Sequence, residues 1–181
     1  MPFKFKELEI SGLILIEPKI FSDTRGFFME TYKESEFREN GITEKFVQDN
    51  ISKSSRGVIR GLHFQVEPHA QGKLIQVIHG RVWDVAVDLR DDSPTYLKWI
   101  GLELDSITRE MFYIPPGFAH GFTALSNEVI FNYKCTNEYN KTAERGLRWD
   151  DPDIAINWPA DSPIVSDRDR ELPFLKEIHT L

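Results

Sequence analysis

The chain reads as an all-β sandwich or barrel, and three observations predict it. Short strand-like runs recur at regular spacing. Gly, Pro, Asn and Asp turn signals separate them. Almost no stretch carries the 3.6-residue apolar period of a helix. The chain has 181 residues, enough for one domain with a sizeable core. No repeat, low-complexity segment or linker breaks it, so a single domain over 1–181 is expected.

The elements follow in order. Lys4 to Glu17 holds two extended runs split by Ser11-Gly12, and Pro18 closes the second. Leu13-Ile14-Leu15-Ile16 is continuously apolar and of strand length. Ser22-Asp23-Thr24-Arg25-Gly26 is a turn, and Phe27 to Tyr32 is the next strand. Lys33 to Asn40 is the one helix of the first half, with Asn40-Gly41 as its C-cap signal. Phe46 to Ser52 alternates, with Gln48 and Asn50 on one face, and Ser52 to Gly57 is a polar loop.

From Val58 the pattern suggests a meander. Val58–Gln65 is a strand. Lys73–His79 and Val82–Leu89 follow, joined at His79-Gly80-Arg81 as a hairpin. Tyr96–Glu103 and Arg109–Ile114 are strands. After Pro115-Pro116-Gly117, Ala119–Ala124 and Val129–Thr136 are expected to pair across Ser126-Asn127. Beyond Asn137 the chain is polar and Pro-punctuated, with Trp149 and Trp158 as anchors against the barrel.

Bulk properties exclude several classes. Apolar content is 40% and charged content 28%, ordinary for a soluble globular protein. A net charge of −7 argues against general nucleic-acid binding, which needs a basic face. Cys135 is the single cysteine, which forbids an intrachain disulfide and suggests a reducing compartment. Neither a signal-peptide core nor a bilayer-length apolar run is present, so a cytoplasmic protein without membrane partners is expected.

The chemistry concentrates in Val58-Ile59-Arg60-Gly61-Leu62-His63-Phe64-Gln65. An apolar strand here carries a cation and an imidazole, groups that are costly to bury unless paired or used. Arg60 and His63 have opposite parity and a regular strand would part them. A bulge at Gly61 would bring both inward. Metal-binding cupins hold iron, manganese or zinc with His-x-His on such a strand plus a later Glu and His. Here Gln65 takes the second position and is a poor transition-metal ligand. His120 is the one candidate partner, in Pro115-Pro116-Gly117-Phe118-Ala119-His120, so no metal is expected. His69, His79 and His179 sit in loop or tail contexts. Lys73 opens its strand and is either a solvated strand end or a cation for an oxyanion or phosphate. Tyr133 shares a face with Phe131 and Cys135 and either packs or serves as an acid. Tyr139 could stack on a flat ring. Ser166-Asp167-Arg168-Asp169-Arg170 is a charged cluster.

Taken together these segments resemble the dTDP-4-dehydrorhamnose 3,5-epimerase family of sugar-nucleotide epimerases. The match runs through Asp23-Thr24-Arg25-Gly26-Phe27-Phe28, Gln48-Asp49-Asn50, Arg60–Gln65, Lys73, Ile114–Phe122, Tyr133–Thr136, Arg148–Pro152 and Ser166–Asp169. The resemblance implies a cupin-type jelly-roll β-barrel with short peripheral helices, free of cofactor and metal. It also implies a homodimer that exchanges N-terminal strands. It makes His63 the general base oriented by Asp169, Tyr133 the acid on the other face of the sugar, and Lys73 the stabiliser of the enolate oxygen. Arg25, Phe27, Glu30, Gln48, Asn50, Arg60, His120, Tyr139, Glu144 and Arg168 become contacts for a dTDP-4-keto-6-deoxy sugar. The family often has Lys at the position of Arg168, where the cation survives with different geometry. A proton α to a ketone needs a base, charge stabilisation at the ketone oxygen and a proton from the opposite side, and these residues supply each.

Overall fold

The structure is a computed structural model that describes residues 2–178. Fourteen strands and two short helices lie in the order β1 Phe3–Glu7, β2 Ile14–Pro18, β3 Phe21–Asp23, β4 Gly26–Phe28, α1 Glu34–Glu39, β5 Gln48–Ser54, β6 Val58–Gln65, β7 Lys73–His79, β8 Arg81–Asp88, β9 Trp99–Asp105, β10 Met111–Ile114, β11 Phe118–Ala124, β12 Val129–Cys135, β13 Glu144–Gly146, β14 Ile164–Val165 and α2 Asp167–Arg170. The first sheet runs β1-β2-β10-β7-β12-β5. The second runs β13-β6-β11-β8-β9, with β14 beside β6. The two sheets face each other as a jelly-roll barrel, and β3 and β4 form a separate hairpin.

Three apolar clusters explain the layers. The barrel interior packs Ile75, Val77, Val82, Ala86, Phe112, Phe122 and Phe131. The outer face of the first sheet is covered by α1 and its flanks, where Phe37 meets Phe3, Ile16, Leu74 and Met111. Its ring sits edge-on to Phe3 at 5.2 Å and 83°. Burying one such aromatic contributes roughly 1.5–3 kcal/mol. The outer face of the second sheet holds Leu62, Val85, Val87, Leu147 and Ile154, with Trp158 packed on them from the C-terminal segment.

The strand limits at Val58–Gln65 and Lys73–His79 are those expected from the sequence. Their pairing is not. β7 pairs with β10 and β12, whereas β8 pairs with β9 and β11. His79-Gly80-Arg81 is therefore a crossing between sheets rather than a hairpin. The same holds at Ser126-Asn127, because β11 and β12 belong to different sheets. Tight turn residues serve a crossing as well as a hairpin, and burial of both strand faces decides between them. Gly80 has φ +81°, and a Cβ there would stand 2.3 Å from the Glu128 carbonyl oxygen. The strand expected over Phe27–Tyr32 stops at Phe28, the one expected to end at Ser52 reaches Ser54, and the tail contributes β13 and β14. Trp158 anchors the tail, its Nε1–H donating to the Trp149 carbonyl at 2.7 Å.

The expected bulge is present. Along β6 Arg60 and His63 are three positions apart, while their partners Phe122 and His120 on β11 are two positions apart. The extra residue restores a common face for Arg60 and His63. Gly61 has φ +137°, and a Cβ there would stand 2.6 Å from Gly121 Cα. The bulge thus needs glycine on both strands.

Candidate active site

A cavity of about 490 Å³ opens between the sheets, a size suited to a small ligand. β6 contributes Arg60, His63 and Gln65. β7 contributes Lys73, β11 His120, and β12 Phe131, Tyr133 and Cys135. β5 adds Gln48, Asn50 and Ser52 through its two-residue alternation. Tyr139, Glu144, Arg168 and Asp169 close the wall. His63 and Tyr133 therefore reach one space from opposite sheets.

His63 Nε2 lies 2.8 Å from Asp169 Oδ1. Asp169 rides on α2, whose N-cap Ser166 accepts the Asp169 N–H at 3.1 Å. The charged cluster near the C-terminus thus places a carboxylate that is 4% exposed. Burial alone would raise this carboxyl, but the His63 hydrogen bond and charge, the Gly61 N–H and the Arg168 charge hold it below the ordinary carboxylate range. An ionised carboxylate only accepts, so Nε2 carries the proton and Nδ1 keeps the lone pair. Nδ1 has no hydrogen-bond partner among the described residues, which leaves it available as a base.

Lys73 is 8% exposed and donates to the His63 carbonyl at 3.2 Å. Desolvation pushes its ammonium down, against the charges of Cys135, Asp84 and Glu144. Tyr133 is raised by burial and by Cys135 and Glu144, with Arg60 opposing, so its phenol holds its proton at neutral pH. Arg60 is braced by Ser54 Oγ at 3.0 Å and the Lys53 carbonyl at 3.0 Å.

At the mouth, Arg168 meets Glu144 at 2.5 Å, and the Tyr139 hydroxyl donates to the same carboxylate at 2.7 Å. Burial would raise Glu144, but Arg168 and Tyr139 bring it below its usual value. The Tyr139 ring stands exposed beside the cavity and its N–H donates to Gln48 Oε1 at 2.7 Å.

Three of the expected contacts lie elsewhere in the chain. Arg25 and Phe27 sit on the β3–β4 hairpin, outside the cavity. Arg25 pairs with Asp23 at 2.6 Å, and Arg109 caps the Phe27 ring at 3.8 Å. Glu30 follows the hairpin, with one carboxylate oxygen buried and without a hydrogen-bond partner among the described residues.

The Gln65 amide is committed to structure. It donates to the His69 carbonyl at 2.7 Å and accepts the Asn140 N–H at 2.7 Å. Among the described residues no three His, Cys, Asp or Glu side chains converge as a metal site. His69 is half-buried against Asn140, His79 is exposed, and His179 lies outside the described residues. Sequence reasoning missed Asp84, which is fully buried and bonded to His120. It alternates with Val85 and Val87 along β8, a pattern that a strand with one wetted face shows equally well.

Comparison with known proteins places this arrangement. A family model described as dTDP-4-dehydrorhamnose 3,5-epimerase matches residues 7–177. The dTDP-4-dehydrorhamnose 3,5-epimerase of Methanothermobacter thermautotrophicus is 53% identical over 178 residues, covering 97% of this chain and 96% of that protein. The dTDP-4-dehydrorhamnose 3-epimerase of Streptomyces niveus is 39% identical over 175 residues, covering 96% of this chain and 84% of that protein. A crystal structure of dTDP-6-deoxy-D-glucose-3,5-epimerase from Legionella pneumophila, in complex with dTDP-4-keto-L-rhamnose, superposes with a TM-score of 0.93. It is 44% identical and covers 97% of this chain and 94% of that one. The chain belongs to the dTDP-4-dehydrorhamnose 3,5-epimerase family.

Proposed function

We infer that the protein is an isomerase that converts dTDP-4-dehydro-6-deoxy-D-xylo-hexulose to dTDP-4-dehydro-L-rhamnose by inverting C3 and C5, a step of dTDP-L-rhamnose biosynthesis. The observation that carries this reading is the His63–Asp169 pair facing Tyr133 across one cavity, with Lys73 beside it. His63 Nδ1 takes the proton α to the C4 ketone. The electron pair moves to the ketone oxygen, where the Lys73 ammonium stabilises the enolate. Tyr133 returns a proton to the opposite face of the carbon, and solvent resets the imidazolium and the phenolate before the second centre reacts. No redox step or metal is required by this chemistry. Arg60, His120, Gln48 and Asn50 hold the ligand, and Arg168, Glu144 and Tyr139 form the mouth where the diphosphate and base would lie.

The enzyme is proposed to be a cytoplasmic homodimer, with the whole chain as one epimerase domain. Among the described residues no helix is long and apolar enough to cross a membrane. β1 and β2 pair with each other and onto β10 within the chain, so the element left for exchange is the β3–β4 hairpin. Phe21, Phe27 and Phe28 on it are exposed, an apolar surface that a second copy would cover. In that arrangement Arg25, Phe27 and Glu30 serve the partner's cavity.

Epimerisation in heavy water tests the reaction. Two deuterons in the sugar product, at C3 and C5, are expected. One deuteron would assign the chain to single-centre epimerases such as the Streptomyces niveus relative.

A further inference from the structure

The closed interior contains a second histidine–aspartate pair. Asp84 on β8 is 0% exposed, and both its oxygens rest on one atom, His120 Nε2, at 3.0 and 2.9 Å. No other side-chain donor among the described residues reaches it. His120 is directly opposite His63 in the strand register and lies parallel to the Phe131 ring at 6.1 Å and 18°. Nε2 is taken up by the carboxylate and the ring plane is fixed by Phe131, so Nδ1 is the atom left to face the ligand.

A buried carboxylate with one neutral N–H is poorly compensated, and an isolated ion in such a place costs several kcal/mol. Lys73 is the cation whose charge acts on it inside the barrel. We propose that Asp84 is a positioning residue for the epimerisation: it holds His120 by Nε2 and so fixes Nδ1 toward the sugar. This rests on the epimerase reading above. The groups that face Lys73 are Cys135 from β12, Glu144 from β13, Asp84 from β8, His63 from β6 and His120 from β11. Burial lowers Lys73, and Asp84 is the opposing charge that lies deepest inside the barrel. Removing it makes Lys73 shed its proton at lower pH, and a neutral amine no longer balances an enolate.

The test is Asp84→Asn, which keeps the shape and removes the charge. The expected result is a kcat lower by on the order of 10²-fold, the cost of misplacing or discharging one group at the developing oxyanion. The alkaline limb of kcat against pH should move to lower pH, with dTDP affinity kept within about threefold. A kcat within about threefold of the wild type would overturn the proposal. ¹⁵N-histidine NMR of the wild-type protein keeps it falsifiable if the variant does not fold. His120 should show the neutral Nε2–H form around pH 7, and an Nδ1–H form would also overturn it. Wild-type protein that incorporates no solvent deuterium sinks the epimerase reading instead, which separates the two failures.

Discussion

The two histidines stand opposite each other on neighbouring strands, yet their paired carboxylates, both raised by burial, end on opposite sides of the ordinary carboxylate range. Asp169 accepts from both His63 Nε2 and the Gly61 N–H, at 2.8 and 3.3 Å, and feels Arg168, so it is held below the usual carboxylate range. Asp84 is raised by desolvation, which His120 and Lys73 only partly offset. The imidazoles differ as well. The His63 side chain is 31% exposed, whereas that of His120 is 9% exposed and stacked on Phe131. The same two residue types therefore make two devices. Donor count and access, rather than the pairing itself, decide which one is equipped to move protons.

The strongest way to break this comparison is His63→Ala. Turnover should vanish while dTDP binding, read by calorimetry, is largely kept. Asp169→Asn should lower kcat on the order of 10²–10⁴-fold, because an amide can impose the wrong tautomer on the imidazole. If Asp169→Asn costs no more than Asp84→Asn, the two pairs are not functionally distinct.

Tyr133→Phe probes the other wall. Net inversion should fall on the order of 10²-fold while exchange of the substrate's α-protons with heavy water continues, as followed by proton NMR. Equal loss of exchange and inversion would count against Tyr133 as the acid.

The hairpin probes whether the site is completed in trans. Arg25→Ala with Phe27→Ala should raise KM about 10-fold and leave kcat close to wild type, since neither side chain approaches the reacting carbons in this arrangement. Light scattering should give a dimer for the wild type. A monomer with unchanged KM in the variant would remove the proposed exchange.

The smallest effect on catalysis is expected at a third carboxylate, Asp88, four residues along β8 from Asp84. It accepts from Arg90 Nε and Nη2 at 2.8 and 2.7 Å, Ser93 Oγ at 2.6 Å and Thr95 Oγ1 at 2.7 Å. Burial opposes its ionisation, but Arg90, Ser93 and Thr95 bring it down to about 2. A folded value below the unfolded one stabilises above about pH 4, and that stability is lost as pH falls toward 2. Asp88→Asn should therefore cost about 2 kcal/mol at neutral pH, with kcat unchanged. The gap in denaturation midpoint should close between about pH 4 and 2. A gap independent of pH would mean that shape, not charge, supplies the stability.

Much of the strand content was legible because it is local. Val58–Gln65 and Lys73–His79 begin and end where alternation and turn residues say they should. The bulge was legible too, since Gly61 between an arginine and a histidine of opposite parity leaves few other ways to use both. Asp84 was not legible. Its strand alternates as an exposed strand does, but the C-terminal segment covers the second sheet, so Val85 and Val87 are buried on one side and Asp84 and Ala86 on the other.

By itself the sequence determined the all-β class, most strand limits and, through its ordered motifs, the family and the residues to inspect. These depend on side-chain periodicity, turn chemistry and residue identity, all written along the chain. Only the tertiary structure decided that His79-Gly80-Arg81 crosses between sheets and that α2 brings Asp169 to within 2.8 Å of His63 over 106 residues of separation. It alone decided that Arg25, Phe27 and Glu30 stand apart from the cavity they were expected to line. Those outcomes depend on which surfaces bury each other, a non-local choice that local propensity does not encode.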